Sequence, residues 1–247
     1  MKITVIGYWG GYPGPDGATS AYLLKEEDTK ILLDCGSGAV SKLQKYIETA
    51  DLDALILTHY HHDHVADVGV LQYSRVVDMN LERSTRPLKI YGHTRDPEGF
   101  QRLGKEPYAI AEEYDPEGVL KIGPFTFTFQ ETSHPAPCYA IKVESSVSGK
   151  SFVYTGDTTY NKNLVPFMKG SELLIGEASF YDGQEAQKYG HMTSSEAGRL
   201  AEAGEVEKLL LSHLPHFGEH KDLVTEAEKH FSGEVTLAYE GLEIEIK

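Results

Sequence analysis

The chain has 247 residues, of which 40% are hydrophobic and 25% charged, and its formal net charge is −15. That length and apolar fraction suit one large α/β domain with a true core, or two small ones. The acidic balance repels polyanions at long range, so long nucleic acid is a poor general partner, while a small anionic substrate met by metal charge remains open.

Taken in chain order, period-2 and apolar-run signals predict strands at 2–6, 20–24, 30–34 and 54–58. The opening strand carries one lysine and no long apolar stretch, so it does not read as a signal peptide. No window approaches the roughly 18 apolar residues of a membrane helix. A helix is predicted over 37–49, a mainly helical stretch over 65–79 and a short strand over 88–91. Segment 95–118, rich in Pro, Gly and charge, reads as a helix with loops that forms a lid. Strands follow at 125–130, 138–144, 151–155, 172–175 and 208–212, helices at 193–203 and 221–230, and two last strands near 234–238 and 242–246. The second half thus repeats the plan of the first. This implies one domain over 1–247 with similar halves at roughly 1–150 and 151–247, in a four-layer αββα sandwich of the α/β class. Cys35 and Cys138 lack CxxC spacing, and a reducing cytoplasm is the simplest home.

The chemistry concentrates in His59-Tyr60-His61-His62-Asp63-His64, which follows the apolar run of residues 54–58. Residues 59 and 61 share one side of an extended segment, and Asp63 and His64 fall where the chain turns into a helix. Imidazole and carboxylate are ordinary ligands of zinc-like metals, with manganese or iron as alternatives. Three other apolar strands also end in ligand-type residues, namely His134, Asp157 and His213. In α/β architectures ligands gather beyond strand ends.

This series, His59-x-His61-x-Asp63-His64 followed by His134, Asp157 within Thr-Gly-Asp-Thr, and His213, resembles the full ligand set of the metallo-β-lactamase superfamily over nearly the whole chain. The resemblance implies that His59, His61 and His134 hold one of two divalent ions. Asp63, His64 and His213 hold the other, Asp157 bridges them, and His62 falls at a variable, non-ligand position. Within the superfamily the chain is most similar to the short-form ribonuclease-Z-like branch. The shared features are the opening Gly7-Tyr-Trp-Gly-Gly-Tyr-Pro, the turn Leu33-Asp34-Cys-Gly-Ser-Gly38, the run Gly176-Glu-Ala-Ser179 and the segment His191-Met-Thr-Ser-Ser-Glu-Ala. That branch implies a homodimer and a catalytic histidine, here His191. Two departures stand out. No tRNA-clamping arm fits between His134 and Asp157, and Tyr154 stands where the family has a glutamate that orients the catalytic histidine.

Two ions about 3.5–4 Å apart share a bridging water and lower its pKa towards neutrality. The resulting hydroxide would attack a phosphodiester in line, with Asp63 holding it. His191, just ahead of the capping-box pattern Thr193-Ser-Ser-Glu196, would protonate the leaving alkoxide. The expected activity is therefore hydrolysis of small phosphodiesters, such as cyclic nucleotides or short oligonucleotides. Thioester, lactone or carboxyl-ester hydrolysis is an alternative, and a non-catalytic metal-binding scaffold is a third. Asp34 is either a turn residue or the orienter of a ligand histidine. His216 and His220 read as rim residues, and Cys138 as buried. The aromatic loop of Tyr8, Trp9 and Tyr12 serves either to stack on a base or to pack at the site mouth.

Overall fold

The structure, a computed structural model, describes residues 1–246. It divides into two compact units, Met1–Asp115 with Glu240–Glu245, and Pro116–Tyr239 with Ile246. The division falls at residue 115, ahead of the expected 150, because the strands just after it join the second sheet.

The first unit holds β1 (Lys2–Gly7), β2 (Ala21–Glu26), β3 (Thr29–Leu33), β4 (Ala54–Ile56), β5 (Leu88–Gly92), β6 (Ala109–Glu113) and the late strand β14 (Glu243–Glu245), in the order β14-β1-β2-β3-β4-β5-β6. Pairing is antiparallel from β14 to β3 and parallel from β3 to β6. The parallel strands read as unbroken apolar runs because both faces are buried, as Leu55 and Ile56 show. One face carries the core cluster of Leu23, Leu32, Leu43, Leu55, Leu71 and Ile90.

The second unit repeats the plan with β7 (Leu120–Ile122), β8 (Phe125–Glu131), β9 (Tyr139–Ser145), β10 (Ser151–Tyr154), β11 (Leu173–Glu177), β12 (Lys208–Ser212) and β13 (Glu234–Leu237), in the order β13-β12-β11-β10-β9-β8-β7. Here too the pairing changes from antiparallel to parallel, at β10. Its helices are α5 (Leu164–Met168), α6 (Ser194–Ala203) and α7 (His220–Glu228), and those of the first unit are α1 (Ala39–Leu43), α2 (His62–Val65), α3 (Val68–Asn80) and α4 (Pro97–Gln101). Among the described residues no helix is long and apolar enough to cross a membrane.

Several expected boundaries move for local reasons. The helix expected over 37–49 shrinks to α1, since Gly38 starts it at φ 80 without a side-chain cap and tight turns replace it after Leu43. The helical stretch over 65–79 is broken at Asp67. Its N–H bonds the Cys35 carbonyl and its Oδ2 accepts from Val40 N–H, so it ties α3 to the β3–α1 turn instead of extending α2. Segment 95–118 is not a lid: it contributes α4 and β6, and β6 pairs in parallel with β5 at the sheet edge. Strand β7 and helix α5 carried no signal. Helix α3 turns its charges inward: Arg75 and Asp78 are buried, while Val70, Tyr73, Val77 and Leu81 are exposed. Arg75 donates to the carbonyls of Leu52 (2.7 Å) and Arg86 (3.0 Å), which fixes two loop ends.

Candidate metal centre

In the first unit the chain leaves the sheet after Leu57, whose N–H bonds Tyr91 O. His59 and His61 follow, with His61 extended (φ −63°, ψ 149°), and Asp63 and His64 fall in the first turn of α2. The His59 ring lies 4.7 Å from that of His61 and 4.2 Å from that of His64. His64 Nε2 is 3.7 Å from Asp63 Oδ2. The four donors expected from the hexapeptide are therefore brought together; His61 and His62 are both exposed, and His59 and His64 are buried.

Asp34 takes the orienting role. It is fully buried and sits in the left-handed region at φ 55. Its Oδ1 accepts from Thr58 N–H (2.8 Å), and its Oδ2 accepts from Thr58 Oγ1 (2.9 Å) and His64 Nδ1 (2.7 Å). The one hydroxyl proton of Thr58 points at Asp34, so Thr58 Oγ1 accepts from His59 Nδ1 at 3.0 Å. One carboxylate thus fixes two imidazoles, one directly and one through a hydroxyl. In both, Nδ1 carries the proton and Nε2 the lone pair a metal needs.

Two backbone features complete this half. Gly11 N–H donates to Asp63 Oδ2 at 2.8 Å. A Cβ at Gly36 would collide with the Asp63 carbonyl and Thr19 Oγ1, so only glycine lets α2 pack this closely. Tyr8 and Trp9 stack on each other at 5.1 Å and the Trp9 ring packs on Gly14 and Gly17, which supports the packing role of that loop; Tyr12 is exposed. The Tyr60 ring fills the space against Gly92 and Gly99, and its hydroxyl donates to His93 O at 2.6 Å. Burial, with Asp96 and Glu113 nearby, pushes that phenol well up. Burial, with Asp67 and Asp34 nearby, likewise pushes the Cys35 thiol up, so it stays protonated.

In the second unit His134 follows β8, Asp157 follows β10 and His213 follows β12. The two oxygens of Asp157 diverge: Oδ2 lies 3.9 Å from His134 Nε2, and Oδ1 lies 3.5 Å from His213 Nε2. Thr132 Oγ1 donates to the Asp157 carbonyl (2.8 Å) and holds the turn. His134 Nδ1 donates to Gly190 O at 2.9 Å. Gly190 lies at φ 83, and a Cβ there would strike the Pro135 ring. His213 is itself left-handed at φ 52.

Glu177, at the end of β11 and 1% exposed, is the counterpart of Asp34. Its Oε1 accepts from His191 Nδ1 (3.0 Å) and Thr158 N–H (2.8 Å). Its Oε2 accepts from Ser179 Oγ (2.6 Å) and Met192 N–H (3.2 Å). Ser179 Oγ accepts in turn from His213 Nδ1 at 2.8 Å. This carboxylate therefore sets two histidines, again one directly and one through a hydroxyl. The orienting glutamate missing at Tyr154, a buried residue, is supplied from a different strand. Sequence reasoning missed Glu177. Its available signal was the run Gly176-Glu-Ala-Ser179, which holds both the acid and the hydroxyl.

His191 stacks on His213 at 5.2 Å and lies 5.4 Å from His134, just ahead of α6, whose Thr193–Glu196 capping box is formed. Donor atoms of Glu177, His191 and His213 lie within 4.8 Å of one another. That trio is no ion site, because four donors already occupy the Glu177 oxygens. His220 Nε2 donates to the Pro215 carbonyl at 2.7 Å, a structural contact at the start of α7. Histidines with oriented Nδ1 groups, joined by aspartates, form a nitrogen and oxygen donor set that fits a divalent metal.

The chain matches the family described as beta-lactamase superfamily domain over residues 29–214. It is 45% identical over 241 residues to the probable metallo-hydrolase YhfI of Bacillus subtilis, covering 98% of each chain. The crystal structure of YhfI superposes with a TM-score of 0.96 over 98% of both chains. Ribonuclease Z of Methanopyrus kandleri is 26% identical, with 100% of this chain and 98% of that protein covered. Human short-form tRNase Z shares the fold, with a TM-score of 0.78, 22% identity and full coverage of both chains. The chain therefore belongs to the β-lactamase superfamily, as a metallo-hydrolase of the ribonuclease-Z-like branch with the α/β, αββα-sandwich fold class.

Proposed function

We propose that the protein is a dinuclear metal-dependent phosphodiesterase acting on small phosphodiesters, cyclic nucleotides or short oligonucleotides. The observation that carries this reading is Asp157, whose two oxygens address two different histidines at 3.9 and 3.5 Å. A carboxylate so placed suits two ions at once. In the proposed set His59, His61, His134 and Asp157 would hold one ion, and Asp63, His64, Asp157 and His213 would hold the other. Zinc fits these donors best. When bound, such ions lower the pKa of a water towards neutrality and neutralise phosphate charge.

The chain's own residues do the rest. Asp63, held by Gly11 N–H, keeps the attacking water in line with the scissile bond. The water gives up one proton to solvent, and its oxygen bonds to phosphorus as the P–O bond to the leaving group breaks; His191 recovers its proton from solvent afterwards. His191 passes a proton from Nε2 to that leaving oxygen, while Glu177 holds its Nδ1–H. A dedicated acid beside the centre suits an alkoxide leaving group, which needs a proton, over the thiolate of a thioester, which does not. The name ribonuclease Z, carried by relatives, denotes phosphodiester cleavage too. Cys35 and Cys138 are buried and not joined in a disulfide, which suits a cytoplasmic setting, and a homodimer completes the proposal.

Purified protein is assayed on bis-p-nitrophenyl phosphate and on p-nitrophenyl acetate, with and without chelator. Chelator-sensitive phosphodiester turnover that collapses in Asp63→Ala is expected. Ester turnover alone would replace this reading with a carboxyl-ester hydrolase, and no turnover of either with metal bound would leave a scaffold.

A further inference from the structure

Beside His191 the second unit exposes an aromatic surface that its own packing does not use up. The Phe180 ring lies 6.2 Å from the His191 ring. Tyr189 stacks on Phe180 at 5.6 Å with an interplanar angle of 11°. Phe217 meets Phe180 edge-on at 6.4 Å and 61°. The rings thus run outward from the histidine and end in solvent, where Tyr189 is 55% and Phe217 48% exposed. Single exposed aromatics are ordinary, but a contiguous group beginning at a reactive centre marks a binding surface.

The ledge is rigidly mounted. Phe180 pairs with Thr193, and its carbonyl accepts from Ser194 N–H at 2.9 Å, which ties it to the segment carrying His191. The Phe217 carbonyl accepts from Tyr181 Oη at 3.0 Å, and the Tyr181 and Phe217 rings lie 5.8 Å apart. Lys188 Nζ lies 5.5 Å from the centre of the Tyr189 ring.

We propose that Phe180, Tyr189 and Phe217 form the subsite for the nucleobase next to the scissile phosphate, binding it by stacking. This deepens the phosphodiesterase reading and rests on it. The ledge starts at His191, so its occupant is covalently attached to the reacting phosphate. A sugar sets base and phosphate apart by about one ring, as Phe180 is set apart from His191. Flat rings read a π-face instead of base edges, so the subsite tolerates any base. The charge of −15 favours a short ligand over a long polyanion.

Isothermal titration of the metal-loaded protein with AMP and with ribose 5-phosphate tests the ledge, since the two ligands differ only in the base. AMP is expected to bind about tenfold or more tightly, the scale of one base stacked on aromatic side chains. In the Tyr189→Ala, Phe217→Ala double variant the ratio falls towards one. Both side chains are about half exposed, so the fold tolerates the change, and Tyr239→Ala, an exposed tyrosine elsewhere, keeps the full ratio. A ratio that survives the double variant, or equal binding of both ligands to the wild type, overturns the ledge and leaves the phosphodiesterase standing. Failure of ribose 5-phosphate to bind, together with no turnover of bis-p-nitrophenyl phosphate, overturns both.

Discussion

Asp34→Asn isolates the orienting role of a buried carboxylate. Asparagine keeps the shape and tolerates the left-handed backbone at φ 55, so the substitution tests chemistry and not strain. Three donors converge on Asp34: Thr58 N–H at 2.8 Å, Thr58 Oγ1 at 2.9 Å and His64 Nδ1 at 2.7 Å. The asparagine oxygen can accept two of them, but its NH2 group then faces the third donor. Loss of one hydrogen bond to a charged group costs about 1.5–3 kcal/mol of stability in the metal-free protein. If the mismatch falls on His64, the ring adopts the other tautomer and Nε2 no longer offers a lone pair. Orienting partners of this kind carry about 10–100-fold in metal affinity, or about 1.4–2.7 kcal/mol. Because Asp34 serves both His59 and His64, which belong to different ions in the proposed set, both affinities should weaken together. Competition with a chromophoric chelator reads the affinities, and thermal melts of the metal-free protein read the stability separately. Wild-type affinity for both ions in Asp34→Asn would refute the reasoning, whatever the melt shows.

Glu177→Gln should lower kcat on a phosphodiester by about 10²–10⁴-fold and alter the limb of the pH–rate profile that reports the acid, since His191 loses its partner. It should weaken only the ion held by His213, and equal weakening of both ions would contradict the assigned sets. Gly36→Ala forces a methyl into the Asp63 carbonyl and should cost about 1–3 kcal/mol by urea denaturation together with metal affinity; an unchanged midpoint would show that α2 is free to move away. For Glu172, burial pushes the carboxyl up, but Lys150 (2.7 Å) and Ser151 N–H (2.8 Å) outweigh it and hold the group below its ordinary range. A depressed pKa in the folded state gives stability that is complete above the unfolded value of about 4.3 and is lost as pH falls through the folded value. Glu172→Gln should therefore flatten the acid limb of the stability curve by up to about 1 kcal/mol, and parallel curves for the two proteins would count against it.

How much of this was legible in the sequence depended on range. The hexapeptide 59–64 announced itself because a buried strand ending in four histidines has no packing explanation. The strand-end residues His134, Asp157 and His213 gained meaning only together. Asp34 was readable as turn or orienter, and only its bonds to Thr58 and His64 decide between them. Glu177 lay within the quoted run Gly176-Glu-Ala-Ser179, but its role was not legible there, because His191 lies 14 residues away and the pairing is made by tertiary packing. The expected glutamate near Tyr154 drew attention to the wrong strand. Likewise β6 hid in a Pro- and Gly-rich stretch, since an edge strand has little apolar alternation to betray it.

Strand β14 has a consequence for how the molecule is made. Residues 2–4 find their outer neighbours at 243–245, so β1 emerges from the ribosome about 240 residues ahead of the strand that covers its flank. At about 5–20 residues per second that delay is on the order of tens of seconds. Throughout it one flank of β1 offers unpaired amides to any passing extended chain. Removing Glu243–Glu245 would make that interval permanent, and nascent or truncated chains should therefore depend on chaperones more than the finished protein does.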